Sequence, residues 1–285
     1  VGRIATTRLA AAARPLRISY GGPVLKLKAT QLRPERELIQ AGAELVGSDS
    51  VAAVVEVIGI AIEALQACGV KSITLDLTLP DLVDILAAGP LPMDSAKLEP
   101  VKAALDAKDV GSLVLAGGAA FLPLVTAAGP VGSAISALRA MGLGDDLEAR
   151  FTALEAIAAA IGDGVRVTLD PTERHGFEYQ SWVGFSLFAE GLAGEAGRGG
   201  SYTILHADGR EEAAVGFSLF LDPLVDAGLM QMSTRRVFIP LGSPPEIAAD
   251  LRRQGWVTVA AICPGCDAVG LGCTHRLDSG EPRAL

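Results

Sequence analysis

A chain of 285 residues, half of them hydrophobic, can bury a sizeable core and fits one large domain or a domain with an appendage. Aromatic residues are only 5%, so such a core packs through small aliphatic side chains. The formal charge of -9, with no Lys/Arg group longer than a pair, argues against general nucleic-acid binding, because phosphate recognition needs clustered cations.

Val1 opens the chain in place of Met, and Val1 to Leu9 already reads as helix, so the natural N-terminus is expected to lie upstream. No basic segment precedes an apolar run there, and no secretion signal is expected. Ile18 to Leu27 predicts a strand, a turn at Gly21-Gly22-Pro23 and a second strand. Gln40 to Val46 is another strand-like run. Asp49 and Ser50 can cap a helix that runs to about Ala67, with Gly69 as its stop. From Lys71 to Leu79 the apolar residues Ile73, Leu75, Leu77 and Leu79 alternate with polar ones, which predicts a half-buried strand.

Residues 81–162 read as a helical insertion punctuated by Gly and Pro. Within it, Val110 to Leu138 carries no charge and is long enough to span a bilayer. Its six glycines and prolines, from Gly117 to Gly132, would break a single span, so short buried helices are expected and no membrane partner. Strand-like runs return at 164–169, 183–189, 201–206 and 214–221, which together predict an antiparallel sheet in a mixed α/β (α+β) fold. From about 233 the style changes. Arg236 to Leu241 is a strand, Ser243-Pro244-Pro245-Glu246 a capping box, and Trp256 to Ile262 a second strand, forming a small strand–helix–strand unit over 233–285.

The glycine-rich runs at Gly21-Gly22 and at Gly197 to Tyr202 precede no helix that opens with Lys and Ser/Thr. They read as tight turns between strands, not as a phosphate loop. No Gly-x-Ser-x-Gly elbow accompanies the three histidines. Four cysteines, Cys68, Cys263, Cys266 and Cys273, are too sparse for a disulfide scaffold and point to a reducing, cytoplasmic setting. Cys263, Cys266, Cys273 and His275 offer four soft ligands, so zinc is a weak alternative to a surface turn with unpaired thiols. No cofactor is expected. Read residue by residue, the chain is an acidic α/β protein with no self-evident catalytic group.

A resemblance goes further. Arg33 to Asp49 resembles the second signature of histidyl-tRNA synthetases and of their paralogue, the regulatory subunit of ATP phosphoribosyltransferase. In order follow Val167 to Asp170 with His175 to Gln180, similar to the histidine-recognition motif, then Gly199 to Thr203, similar to a Gly-Gly-Arg-Tyr-Asp turn. Val215 to Leu224 looks like the third class II signature. These matches span residues 1 to about 230. They imply a class II synthetase-like core over 1–232, an antiparallel sheet flanked by helices and carrying the helical insertion, usually dimeric.

The departures from the pattern are as informative. The arginine that holds the α-phosphate of ATP corresponds to Lys26, the acid two residues later to Lys28, and the arginine that holds the γ-phosphate to Pro223. Arg174 or His175 takes the place of the histidine motif's arginine. Lys does not reproduce the bidentate fork of Arg on phosphate, and Pro has no donor. Gln40, Glu44 and Tyr179 match positions that hold the amino acid in synthetases, and Glu178 stands for the family's Asp. Ser201 replaces an Arg and Gln180 a Tyr. These polar groups either hold histidine or satisfy one another in a vestigial cavity, and the sequence leaves both open. The resemblance implies a non-catalytic subunit of ATP phosphoribosyltransferase, partnered with the short catalytic form and answering to histidine. A divergent enzyme that activates an amino acid with ATP is the alternative.

Overall fold

The computed structural model describes residues 1–25, 37–174, 180–229 and 235–285. The chain divides into two compact units, Val1–Met230 and Gln231–Leu285, each with its own sheet.

In the first unit, β1 (Leu16–Leu25), β2 (Glu37–Val46), β3 (Ile73–Thr78), β4 (Gly129–Pro130), β5 (Arg166–Asp170), β6 (Gln180–Ala189), β7 (Glu195–Leu205) and β8 (Glu211–Phe220) form one sheet. Its order is β1-β2-β8-β7-β6-β3-β5-β4. Neighbours run antiparallel except β3 and β5, which are parallel. Parallel neighbours need a crossover connection. The helical segment between them supplies it, as α3 (Leu82–Ala88), α4 (Ser95–Asp106), α5 (Val110–Leu115), α6 (Leu122–Thr126), α7 (Val131–Ala140) and α8 (Asp145–Ile161). The uncharged run is divided among α5, α6 and α7, and among the described residues no helix is long and apolar enough to cross a membrane.

Alternation gives the sheet two unlike faces. Ala43 and Leu45 of β2, Val215, Phe217 and Leu219 of β8, Val183 and Leu187 of β6, and Leu75 and Leu77 of β3 join one apolar core. The helix α2 (Val51–Ala67) packs there through Val54, Val57, Ile58, Ala61, Ile62 and Leu65, an i, i+3, i+4 stripe. Ile58 and Leu65 are fully buried, each worth roughly 1.5–3 kcal/mol. Ser50 caps α2, its hydroxyl oxygen accepting the Ala53 N–H at 3.4 Å. The opposite face presents Glu44, Arg198, Tyr202, Ser218 and Asp76. At one end of that face α1 (Gly2–Thr6) buries Ala5 with Val46, Ile204 and Ala214.

Two expected turns are strand instead. Residues 16–25 form one continuous strand, β1, with Pro23 opposite Ile39. β1 is the sheet's edge, where a proline's missing N–H costs no ladder bond on the open side. The glycine run at 197–200 lies inside β7. A Cβ on Gly200 would stand 2.8 Å from the Val183 carbonyl oxygen and 2.8 Å from Gln180 Nε2, so these glycines serve close approach, not chain reversal.

The second unit contains β9 (Arg236–Ile239), α10 (Pro245–Arg253), β10 (Val257–Ala260), β11 (His275–Asp278) and β12 (Glu281–Ala284), in sheet order β10-β9-β11-β12. The strand–helix–strand unit is joined by a hairpin, β11–β12, that the sequence reading lacked. Ser243 does not cap α10. Its hydroxyl donates to the Pro240 carbonyl at 2.7 Å, and Pro244 holds the N-cap position without a side-chain bond.

Candidate functional site

The polar face of the large sheet holds a cleft of about 300 Å³, counting its open mouth, lined by Glu44, Gln180, Arg198, Tyr202 and Ser218 with the backbone of Gly199, Gly200 and Gly216. Glu44 stands on β2 opposite Gly216 of β8, and its carboxylate fills the space that a Cβ on Gly216 would take. Tyr202 donates to Glu44 Oε2 at 2.9 Å. Burial pushes the Glu44 carboxyl above its ordinary value, and the Tyr202 hydrogen bond pulls the other way.

Arg198 lies two strands away from Glu44. It pairs with Glu195, and its guanidinium sits 5.7 Å from the Phe220 ring centre. Ser186 donates to the other Glu195 oxygen at 2.6 Å. The near-buried Glu195 thereby holds the arginine in place. Gln180 Nε2 donates to the Gly199 carbonyl at 2.9 Å, and Tyr20 Oη lies 2.6 Å from Ser218 Oγ and 3.2 Å from the Phe217 oxygen. A carboxylate and a guanidinium thus face one small polar cleft, an arrangement suited to a zwitterion bearing a further polar group.

Of the residues matched to the amino-acid site, Glu44 lines the cleft. Gln40 shares its face of β2 four residues earlier and is not among the lining groups. Ser201 is fully buried outside the cleft, its hydroxyl 2.8 Å from Ser181 Oγ and donating to the Val183 oxygen at 3.2 Å. The change from Arg at this position therefore supplies no cleft-lining group. Lys26, Lys28, His175, Glu178 and Tyr179 lie outside the described residues. Arg174, the other match to the motif's arginine, sends its guanidinium toward Glu99 of α4 at 3.5 Å. Pro223 occupies the first turn of α9 (Asp222–Asp226), where Asp222 accepts the Ile39 N–H at 2.8 Å. The sequence reading missed Arg198. Its signal was a lone cation inside a glycine run, which gains a role only once the register of β7 on β8 is known.

Among the described residues no group of three or more His, Cys, Asp or Glu side chains could hold a metal ion. Cys263 and Cys266 meet, but Cys273 is buried with Phe238 and Ala268, and the His275 ring stands edge-on to Trp256 at 4.7 Å.

A mostly antiparallel sheet, covered by a helix on one face and opening a small polar cleft on the other, defines a class II aminoacyl-tRNA synthetase-like protein. Residues 1–224 match the family described as Histidyl-tRNA synthetase. The fold agrees with a crystal structure of an ATP phosphoribosyltransferase regulatory subunit/histidyl-tRNA synthetase from Bacillus halodurans. The TM-score is 0.74 at 21% identity, covering 95% of this chain and 74% of that one. It also agrees with an ATP phosphoribosyl transferase complex from Thermotoga maritima (TM-score 0.60, 16% identity, 77% of this chain and 79% of that one). The chain is 40% identical over 291 aligned positions to an ATP phosphoribosyltransferase regulatory subunit from Rhodospirillum centenum, covering 99% of this chain and 74% of the relative. It belongs to the family of ATP phosphoribosyltransferase regulatory subunits.

Proposed function

We propose that this chain is a non-catalytic subunit that binds the short catalytic form of ATP phosphoribosyltransferase in a hetero-oligomer and makes its activity answer to histidine. The observation that carries this reading is the cleft, in which a desolvated carboxylate and an anchored guanidinium face one small volume. Arg198 suits the carboxylate of an amino acid, and Glu44 its ammonium or imidazole, with Tyr202 orienting Glu44. The synthetase chemistry that would use such a pocket lacks its grip on triphosphate. Pro223 offers no donor, and Lys26 and Lys28 stand, by sequence, where an arginine and an acid belong. Losing one donor aimed at developing charge costs on the order of 10²–10³ in rate, so the combined losses leave recognition without activation.

The family name of the relatives and the complex seen in the Thermotoga neighbour support the partnership, and the synthetase-like fold supports a dimer within it. Free cysteines support a cytoplasmic setting. Histidine inhibits through this chain if it binds one state of the assembly more tightly than another, since a ligand shifts an equilibrium only by its differential affinity. The test is to mix the purified chain with a short catalytic subunit. Co-elution as one complex, with no histidine-dependent pyrophosphate exchange into ATP by the chain alone, is the expected result. Clear exchange without complex formation would establish the amino-acid-activating alternative.

A further inference from the structure

The Cys263-Pro264-Gly265-Cys266 turn follows β10 in the second unit, and the amino-acid cleft makes no use of it. We propose that Cys263 and Cys266 form a dithiol site that closes reversibly to a disulfide by exchange with small-molecule disulfides such as oxidised glutathione.

The geometry brings these two sulfurs together, with Cys273 packed beside Cys266 in the same small cluster. Their Sγ atoms lie 2.6 Å apart, unbonded. Two intervening residues hold them on one turn, in which the Cys266 N–H reaches the Cys263 oxygen at 3.4 Å. The turn has a firm base. Ala261 N–H donates to the Ile239 oxygen at 2.9 Å, which ties the chain leaving β10 to the end of β9. Downstream, the Asp267 carboxylate accepts the Val269 and Gly270 N–H groups at 3.0 and 2.9 Å. Cys266 packs half-buried against Phe238, Ala268 and Cys273, while Cys263 is exposed. Cys266 is therefore anchored yet still partly exposed to a reagent, and the exposed Cys263 stands free to close on it. The contact also pushes the Cys263 thiol up and the Cys266 thiol down from their ordinary value, which favours Cys266 as the thiolate.

The exchange balances in two steps. The Cys266 thiolate attacks one sulfur of the small disulfide, forming a mixed disulfide and releasing one thiolate. Cys263 then loses its proton and attacks Cys266 Sγ, forming the Cys263–Cys266 bond and releasing the second thiol. The chain is oxidised by two electrons, and the small disulfide is reduced to two thiols. Excess reduced thiol reverses both steps.

The test is intact-mass and peptide mapping of the whole chain after incubation with oxidised glutathione, with unreacted thiols alkylated under denaturing conditions. Alkylatable thiols should fall from the four in the sequence to two, Cys68 and Cys273, with a Cys263–Cys266 link and no retained glutathione. Reduced glutathione should restore all four. Cys263→Ser should trap one glutathione on Cys266, and Cys273→Ser should leave closure unchanged. Glutathione retained on the wild-type chain without closure would overturn the proposal, as would a Cys266–Cys273 link. So would a purified chain that holds one equivalent of zinc and shields Cys263 and Cys266 until the metal is removed.

Discussion

Tyr202 and Glu44 meet across a strand to which neither belongs. Glu44 is on β2 and Tyr202 on β7, with β8 between them, and their 2.9 Å hydrogen bond passes over Gly216. Three neighbouring strands therefore build the polar end of the cleft together, and the middle one contributes by having no side chain there.

If Glu44 holds the cationic part of histidine, calorimetry should separate its charge from its shape. Truncating one partner of a buried charged pair costs about 2–5 kcal/mol. Glu44→Ala should therefore weaken histidine binding by at least roughly thirtyfold, and Glu44→Gln, which keeps the shape, should also bind much more weakly. Tyr202→Phe leaves the carboxylate in place but removes its donor, a loss of about 1–2 kcal/mol, or roughly tenfold. Unchanged affinity in Glu44→Ala would remove the cleft from histidine recognition.

Gly216→Ala should act on the same site without touching a polar group. The new methyl would occupy the position of the Glu44 carboxylate. Overpacking of this kind costs about 1–3 kcal/mol and would swing Glu44 away from Tyr202. The expected outcome is a lowered melting temperature together with loss of histidine binding, whereas Ala214→Gly on the same strand should lower stability and spare binding. Full affinity in Gly216→Ala would show that Glu44 need not stand where it does.

Asp76 gives a pH test of the same sheet face. Burial pushes its carboxyl up to about 6; the Thr168 hydroxyl opposes this, and repulsion from Glu173 and Asp170 adds to it. An acid whose folded pKa lies above its unfolded one holds its proton more tightly in the native chain. Stability is then highest where both states are protonated and falls as pH rises from the ordinary aspartate range to about 6, with no further change above. Allowing for the group's partial exposure, the loss is on the order of 1–2 kcal/mol. Asp76→Asn should remove it, so the variant's advantage in urea unfolding should be larger at pH 7.5 than at pH 5.5. An equal difference at the two pH values would contradict the assignment.

What the sequence disclosed follows from whether a signal is local. The alternation of Ile73, Leu75 and Leu77 reads directly as β3, and of the two caps the sequence offers α2, Asp49 and Ser50, it is Ser50 that makes the bond. The glycines and prolines that divide 110–138 were equally plain. Glu44, which lines the cleft, stood out in the sequence because a motif carries it. Arg198 was not, because its place in the cleft comes from the pairing of β7 with β8, which spans many residues of chain. The glycine run at 197–200 reads as a turn because close strand approach and chain reversal favour the same residue. The β11–β12 hairpin carried a readable signal: Ser279-Gly280, both at positive φ, is a two-residue turn between Asp278 and Glu281. It was hidden by flanking strands that are short and polar.

The central claim, that this chain recognises histidine on behalf of another enzyme, is tested most directly by the steady-state rate of a short ATP phosphoribosyltransferase catalytic subunit. That rate is to be measured alone, with the wild-type chain and with Glu44→Ala, each with and without histidine. The account predicts that the wild-type chain changes the partner's rate and makes it sensitive to histidine, and that Glu44→Ala still associates but loses most of that sensitivity. A partner whose rate is the same with and without the chain, at every histidine concentration, would contradict it.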